Sequence, residues 1–316
     1  MEIHFSAILR VLYGEDTLVL EVDVRPANCD IGYAEALLST YASGWAHKTV
    51  QAIKSSGTDN ALFLLDDDCV LRIPIRPSAV ELLTKELVWL PSFAGLPLEV
   101  PKVLFHSQTK SQLGFDFGIL TWLEGSVASE DRIDDPIAAA GALGSFLCKL
   151  HQKPIKNAPH AGPGNNNRGI DLAELTEKTL SSIEVLADEI HADEARDLWQ
   201  HACSMPFRGR PVWTHGDLKA DNMLAQDGQL AAVIDWGLSA VGDPAVDIAA
   251  AWTWVSPEAR AVFQSASGAD DASWKRAQGW ALYCATIALS FFRGRSHEVL
   301  CNQSRRTLQM LGLRRS

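Results

Sequence analysis

The hydrophobic period changes partway along this chain, and the change limits the folds open to it. Between residues 50 and 122 the apolar residues fall in short β-rich runs, at 50–54, 61–65, 69–74, 103–106 and 117–122. Asp66-Asp67-Asp68 supplies a turn between two of these runs. One stretch, 81–90, has helical spacing instead, with Leu82, Leu83, Leu87 and Leu90 apolar. After Glu124-Gly125 helical spacing dominates, at 136–151, 172–190, 193–204 and most of the chain from Asp247 onward. A period of two and a period of 3.6 bury different faces, so one segment cannot satisfy both. Strands first and helices afterwards predict an α+β architecture: a small antiparallel sheet lobe joined at Leu123-Glu124-Gly125 to a larger helical lobe.

The expected organisation is an N-terminal extension over residues 1–30, a first lobe over 31–123 and a helical lobe over 124–316. Within the extension, 3–12 and 17–24 alternate around Gly14-Glu15-Asp16, a hairpin pattern. Asp30 caps a predicted helix that reaches Tyr41. The stretch 162–169, GPGNNNRG, reads as a surface turn.

Composition narrows the function. Of 316 residues, 47% are hydrophobic and 21% charged, enough for a sizeable core. The net charge of −11 argues against a nucleic-acid partner, which requires a basic stripe. The six cysteines are scattered without C-x-x-C or metal-ligand spacing, as expected of reduced thiols packed as small hydrophobes. No signal peptide is evident. The longest apolar run, 280–292, is too short to span a bilayer and reads as a core helix. The expectation is a cytoplasmic protein with no membrane partner; its oligomeric state is not written in the sequence.

The chemistry is concentrated in 212–247, VWTHGDLKADNMLAQDGQLAAVIDWGLSAVGDPAVD. Asp227-Gly228 is a two-residue hairpin signal between the apolar runs 223–224 and 230–234. Such a hairpin would bring its open ends, Asn222 and Asp235, together, with Asp217 one loop turn away. Phosphoryl transfer needs a carboxylate to orient the attacking hydroxyl and oxygen ligands to hold magnesium against the phosphates. An amide oxygen and a carboxylate meeting at one spot, with Asp217 close by, suit a hard cation that keeps water and phosphate oxygens as its remaining ligands.

HGDLKADN followed by IDWG resembles the aminoglycoside phosphotransferase family of protein-kinase-like enzymes, whose hallmark is H-G-D-x-x-x-x-N and then I-D-[WF]-[GE]. It parallels the protein-kinase series H-R-D-L-x-x-x-N and D-F-G, with Gly216 where protein kinases carry Arg. Residues 242–247, GDPAVD, also match the family. The resemblance implies a kinase-like two-lobe fold, ATP or GTP and Mg2+ as cofactors, and a small-molecule hydroxyl as acceptor. By it Asp217 is the catalytic base, Asn222 and Asp235 bind the metal, and His215 and Asp247 support the catalytic loop. Asp243-Pro244 reads as a helix start.

The same likeness implies a nucleotide cradle in the first lobe. Ser56, Gly57 and Thr58 lie where the family has a phosphate-covering loop. Arg72 stands where kinases carry a strand lysine, with Glu86 on the next helix as its counter-ion. Residues 120–123 would connect the lobes, so that Thr121 and Leu123 lie against the base.

Other features remain open at this point. Trp122, Trp236, Trp252 and Trp254 invite an aromatic cage for a quaternary ammonium, although tryptophans more often fill cores. Glu258, Asp270 and Asp271 could attract a polyamine, although such residues are more often a solvated face. The family phosphorylates aminoglycosides, macrolides, choline, homoserine and other alcohols. An antibiotic is the leading acceptor. The tail departs from aminoglycoside kinases with acidic C-termini, since it carries Arg305, Arg306, Arg314 and Arg315; a neutral or anionic metabolite, or a macrolide, is therefore a rival. A non-catalytic nucleotide-binding protein and a metal-dependent hydrolase are the readings from other classes.

Overall fold

The structure is a computed structural model that describes residues 29–53, 59–295 and 297–315. The expected hairpin of residues 1–28 lies outside the described residues, as do Ser56, Gly57 and Thr58. The chain divides into two compact units, the first of residues 1–95, 99–124 and 232–237, the second of 96–98, 125–231 and 238–316.

The first unit opens with α1 (Ile31–Tyr41), whose first turn is closed by the Asp30 carboxylate accepting from the Tyr33 amide at 3.0 Å. Then follow β1 (Val50–Ile53), β2 (Asn60–Leu65), β3 (Cys69–Pro74), α2 (Pro77–Trp89), β4 (Val103–His106), the short α3 (Lys110–Leu113) and β5 (Gly118–Thr121). The five strands form one antiparallel sheet in the order β1-β2-β3-β5-β4. Leu37 and Leu38 of α1 share a core with Phe63, Leu65, Leu71, Ile73 and Ile119 of the strands and with Phe117 just before β5. That core fixes β3, and the register opposes Arg72 to Leu62 on one side and Gly118 on the other.

The second unit contains β6 (Ser126–Val127), α4 (Pro136–Leu150), α5 (Thr176–Val185), α6 (Ala192–Cys203), β7 (Val212–Thr214), β8 (Met223–Gln226), β9 (Gln229–Val233), β10 (Ala240–Gly242), α7 (Ala245–Ile248), α8 (Ala250–Thr253), α9 (Arg260–Ser267), α10 (Asp271–Phe292) and α11 (Glu298–Met310). The division between units falls within β9, after Ala231. The β8–β9 turn has Asp227 at φ 50° and Gly228 at φ 75°. Two successive positive φ values define the turn whose twist suits a two-residue hairpin. The long α10 is the axis of this unit: Trp280, Ala281, Leu282, Ala285 and Leu289 are buried, and α5, α6, α7 and α11 pack around it. Among the described residues no helix is long and apolar enough to cross a membrane.

Two regions differ from the sequence expectation. The predicted helix over 172–190 begins as a 3-10 turn (Leu172–Leu175) and ends as α5 at Val185. Asp171 explains the tight start, because its carboxylate accepts from the Ala173 amide at 3.0 Å. The 162–169 stretch is not a free surface turn. Asn165, only 1% exposed, accepts from the Gly162 amide at 2.9 Å and donates to the Arg168 and Leu238 carbonyls. One buried amide thereby ties this loop to the segment that follows Trp236-Gly237.

At the end of α4, the buried Nε2 of His151 has no hydrogen-bond partner, and burial pulls its pKa down to about 4. The folded protein keeps this ring neutral, while the unfolded chain takes up a proton below about 6.5. Stability should therefore be full above that pH and decline as pH falls toward 4. In urea titrations, His151→Leu should shrink the stability difference between pH 7 and pH 5 by about 1–2 kcal/mol. An unchanged pH dependence would show that His151 titrates normally.

Candidate functional site

The acids of the sequence motif lie in both units. In the second, β7 pairs antiparallel with β10, Thr214 opposite Ala240 and Trp213 opposite Val241. The chain leaves β7 at His215 and turns sharply. Gly216 has φ +85°, and a Cβ there would lie 2.8 Å from the Leu238 carbonyl oxygen. The turn is held from below by Asp247, fully buried in α7, which accepts from the His215 amide at 2.7 Å and the Gly216 amide at 2.8 Å. Burial raises the Asp247 carboxyl above its ordinary range, against the pull of His215 and these two amides. The His215 ring is also committed, since its Nδ1 accepts from the Asp217 amide at 3.2 Å.

Those bonds set the position of Asp217. Asn222 donates from Nδ2 to the Asp217 carbonyl at 2.8 Å and to Asp217 Oδ2 at 2.9 Å. Lys219 Nζ lies 3.0 Å from the same Oδ2. Burial alone would raise the Asp217 carboxyl, but Lys219 and Arg168 outweigh it and hold the pKa down to about 2. Such a group is ionised at every working pH. It is a poor sink for a proton and a strong acceptor for an O–H, so the geometry suits orienting a hydroxyl. Because Nδ2 of Asn222 is spent on Asp217, the amide oxygen Oδ1 is left outside those bonds.

The first unit holds a second arrangement. Arg72 on β3 donates from Nη1 to Glu86 Oε1 of α2 at 2.7 Å and from Nη2 to Asp235 Oδ1 at 3.3 Å. Glu86 is 1% exposed and also accepts from the Trp236 amide at 3.1 Å. Burial raises the Glu86 carboxyl, partly countered by Arg72, while Glu86 and Asp235 keep the guanidinium charged against its own burial. Asp235 has a left-handed backbone, φ +65°. The residue after it is fixed by Trp236 stacking on Phe93, centroids 4.5 Å apart, and by its indole N–H donating to the Val233 carbonyl. The Asp235 side chain is 53% exposed, so it can accept a cation on the side away from Arg72.

Thr121 and Leu123 lie at and beyond the end of β5. The Thr121 hydroxyl accepts from the Lys102 amide at 2.9 Å, and Leu123 is half-buried. The tryptophans proposed for a cage are mostly committed elsewhere: Trp236 and Trp252 are buried, and the Trp254 indole donates to the Ala128 carbonyl. Asp270 is an N-cap, accepting from the Ser273 amide at 2.7 Å. Asp243 caps α7 through the Ala245 amide at 3.0 Å and pairs with buried Arg276 at 2.7 Å.

Among the described residues no group of three or more His, Cys, Asp and Glu side chains gathers to hold a metal. Sequence reasoning passed over two residues that bear on Asp217. Lys219 carries a readable signal, two positions beyond it; Arg168, from a loop 49 positions earlier (217 − 168), carries none.

The chain is similar to known proteins over most of its length. The family model described as the phosphotransferase enzyme family matches residues 49–280. An aminoglycoside 3'-phosphotransferase of Escherichia coli is 28% identical over 183 residues, covering 54% of this chain and 62% of that enzyme. The matched part therefore spans less than two thirds of that relative's length. The GDP complex of aminoglycoside 2'-phosphotransferase-IIIa superposes with a TM-score of 0.66 at 18% identity, covering 90% of this chain and 99% of the other. The macrolide 2'-phosphotransferase of Brachybacterium faecium does so with a TM-score of 0.59 at 19% identity, covering 88% and 97%. At these identities the structural likeness is one of fold: an antiparallel sheet unit and a helical unit of the kinase-like kind.

Proposed function

Because the chain belongs to the phosphotransferase enzyme family, we propose that it moves the γ-phosphoryl group of ATP or GTP to a hydroxyl of a small molecule, with an antibiotic of aminoglycoside or macrolide type as the leading acceptor class. The observation that carries this reading is Asp217, held ionised between Asn222 and Lys219 on a turn braced by Asp247. The nucleotide complexes and antibiotic substrates named for the proteins it resembles support the same reading.

In the proposed reaction Asp217 accepts a hydrogen bond from the acceptor hydroxyl and points its oxygen lone pair along the line of attack. The proton moves to Asp217 late, as the oxygen–phosphorus bond forms, because a carboxylate of pKa about 2 takes it only from an oxygen that has lost its basicity. Asn222 and Asp235 would supply oxygen ligands to magnesium, which when bound would offset charge on the phosphate oxygens. On this reading Arg72 would contact phosphate with Glu86, 2.7 Å away, keeping it in place, and the nucleotide role of Ser56, Gly57, Thr58, Thr121 and Leu123 is the one the family resemblance implies. A reaction that draws on a nucleoside triphosphate would run in the cytoplasm, and phosphorylation of an antibiotic there would confer resistance.

The test is magnesium-dependent release of ADP or GDP on addition of hydroxyl compounds, with the phosphorylated product identified by mass spectrometry. Acceptor-stimulated release abolished by EDTA is expected. Nucleotide binding without turnover across a broad panel would favour a non-catalytic role, and phosphate released to water alone would indicate a hydrolase. A metabolite alcohol is the second reading for the acceptor, favoured by the cations beside Asp217.

A further inference from the structure

The turn that presents Asp217 is held by Asp247, and Asp247 stands on a helix too short to orient itself. α7 has only four residues, Ala245–Ile248, whereas an isolated helix needs about 12–15 residues to persist in water. Its direction therefore depends on what fixes its first turn. Asp243 does so from the adjoining chain. Its Oδ1 accepts from the Ala245 amide at 3.0 Å, its carbonyl accepts from the Val246 amide at 3.3 Å, and its own amide donates to the Gly169 carbonyl at 2.9 Å. Asp243 is 2% exposed, and a carboxylate buried that deeply needs a partner of opposite charge as well as hydrogen bonds.

Arg276 supplies that partner from α10. Its Nε donates to Asp243 Oδ2 at 2.7 Å and its Nη2 to Oδ1 at 3.1 Å, a two-point fork. Nη2 also reaches the Ser273 hydroxyl at 3.3 Å, and Nη1 donates to the Met205 carbonyl at 3.4 Å. The guanidinium lies 5.2 Å over the Phe207 ring, and the Arg276 side chain is buried. One planar group thus joins α10, the 205–207 loop and the start of α7. Apolar packing around α7 is non-directional, but a planar fork fixes an angle as well as a position. The path continues within the same short helix, where Asp247 accepts from the His215 amide at 2.7 Å and the Gly216 amide at 2.8 Å. All of these residues belong to the second unit.

We propose that Arg276 is a positioning residue for phosphoryl transfer: by fixing Asp243 it sets where Asp247 stands, and so where the His215-Gly216 turn presents Asp217. This rests on the phosphotransferase reading above and adds to it a residue on a helix outside the catalytic segment. The reaction tolerates little displacement, since about 1 Å of misplacement at a reacting group can cost roughly 100-fold in rate. A loosened α7 would let the turn drift by such an amount without unfolding the unit around it.

The test compares the full wild-type chain with Arg276→Met and with Arg276→Met/Asp243→Asn. The single variant leaves Asp243 buried without its cation and should lose stability. In the double variant asparagine still accepts from the Ala245 amide and no buried charge is left unpaired, so its melting temperature should return to within about 3 °C of wild type. Its kcat, with Mg·ATP and a hydroxyl acceptor that the wild type phosphorylates, should nevertheless stay lower by about tenfold or more, while KM for ATP changes by less than about threefold. Hydrogen–deuterium exchange at the His215 and Gly216 amides should be about tenfold faster than in wild type, with the amides in the middle of α10 unchanged. Recovery of kcat together with the melting temperature, or wild-type exchange at His215 and Gly216, would reduce Arg276 to a stabiliser of the fold and overturn the proposal. The exchange measurement needs no acceptor. If no hydroxyl compound is turned over, the phosphotransferase reading fails and exchange alone decides whether Arg276 holds the turn.

Discussion

Asp217→Asn should reduce kcat by roughly 10³-fold while leaving KM for the nucleotide within about threefold, the size of change expected for a residue outside the nucleotide's binding contacts. Asparagine keeps the shape and can still accept from Lys219 and Asn222, whose donors lie 3.0 and 2.9 Å from Oδ2. What it lacks is the negative charge that orients a hydroxyl and later receives its proton. The fold should persist with a modest loss of stability. The wild-type carboxyl is held down to about 2, so its ionised form stabilises the folded state fully above the unfolded pKa of about 3.9. That contribution disappears as pH falls through about 2, and at neutral pH the variant simply lacks it. Steady-state kinetics together with a thermal melt would check the result; a variant retaining a tenth of wild-type kcat would remove Asp217 from the chemistry.

Arg72→Ala should have the largest effect on stability. It leaves Glu86, 1% exposed, as a buried carboxylate without its counter-ion, a defect that costs about 3–5 kcal/mol. Burial already raises the Glu86 carboxyl, so in the variant the side chain escapes part of the penalty by protonating. For a raised carboxyl the protonated form favours folding, hence the penalty should be smallest below the unfolded pKa of about 4.3. It should grow as pH rises through the higher folded value. Urea unfolding at pH 5 and pH 7.5 would show this as a smaller deficit at the lower pH. Arg72→Met combined with Glu86→Gln should recover much of the stability without recovering nucleotide affinity, which separates the two roles. An unchanged KM for nucleotide in that double variant would exclude Arg72 from phosphate binding.

The parts of this protein written most clearly in sequence are those governed by local rules. The Asp30 cap, the Asp227-Gly228 turn and the change from strand to helix spacing depend on residues within a few positions of one another. Asp217 and Asn222 were also readable, because five residues is a loop length at which an amide can reach back to a carboxylate. Arg168 was not, because its relation to Gly216 is made by folding the 162–169 loop against the segment after Trp236. The tail misled for a similar reason: four arginines in sequence suggest a basic surface, but Arg305 and Arg306 meet Glu189 and Glu130, which lie far off in sequence.

The conformation of Gly216 has an implication for engineering. Its left-handed backbone and the Leu238 carbonyl oxygen 2.8 Å from any Cβ close that position to the arginine that protein kinases carry there. A graft of the H-R-D triplet into this chain would need the Leu238 backbone to retreat and the Arg168 stem to vacate its place. Activation by an incoming phosphate, where it works through that arginine, is a form of control this scaffold cannot acquire by a single codon change.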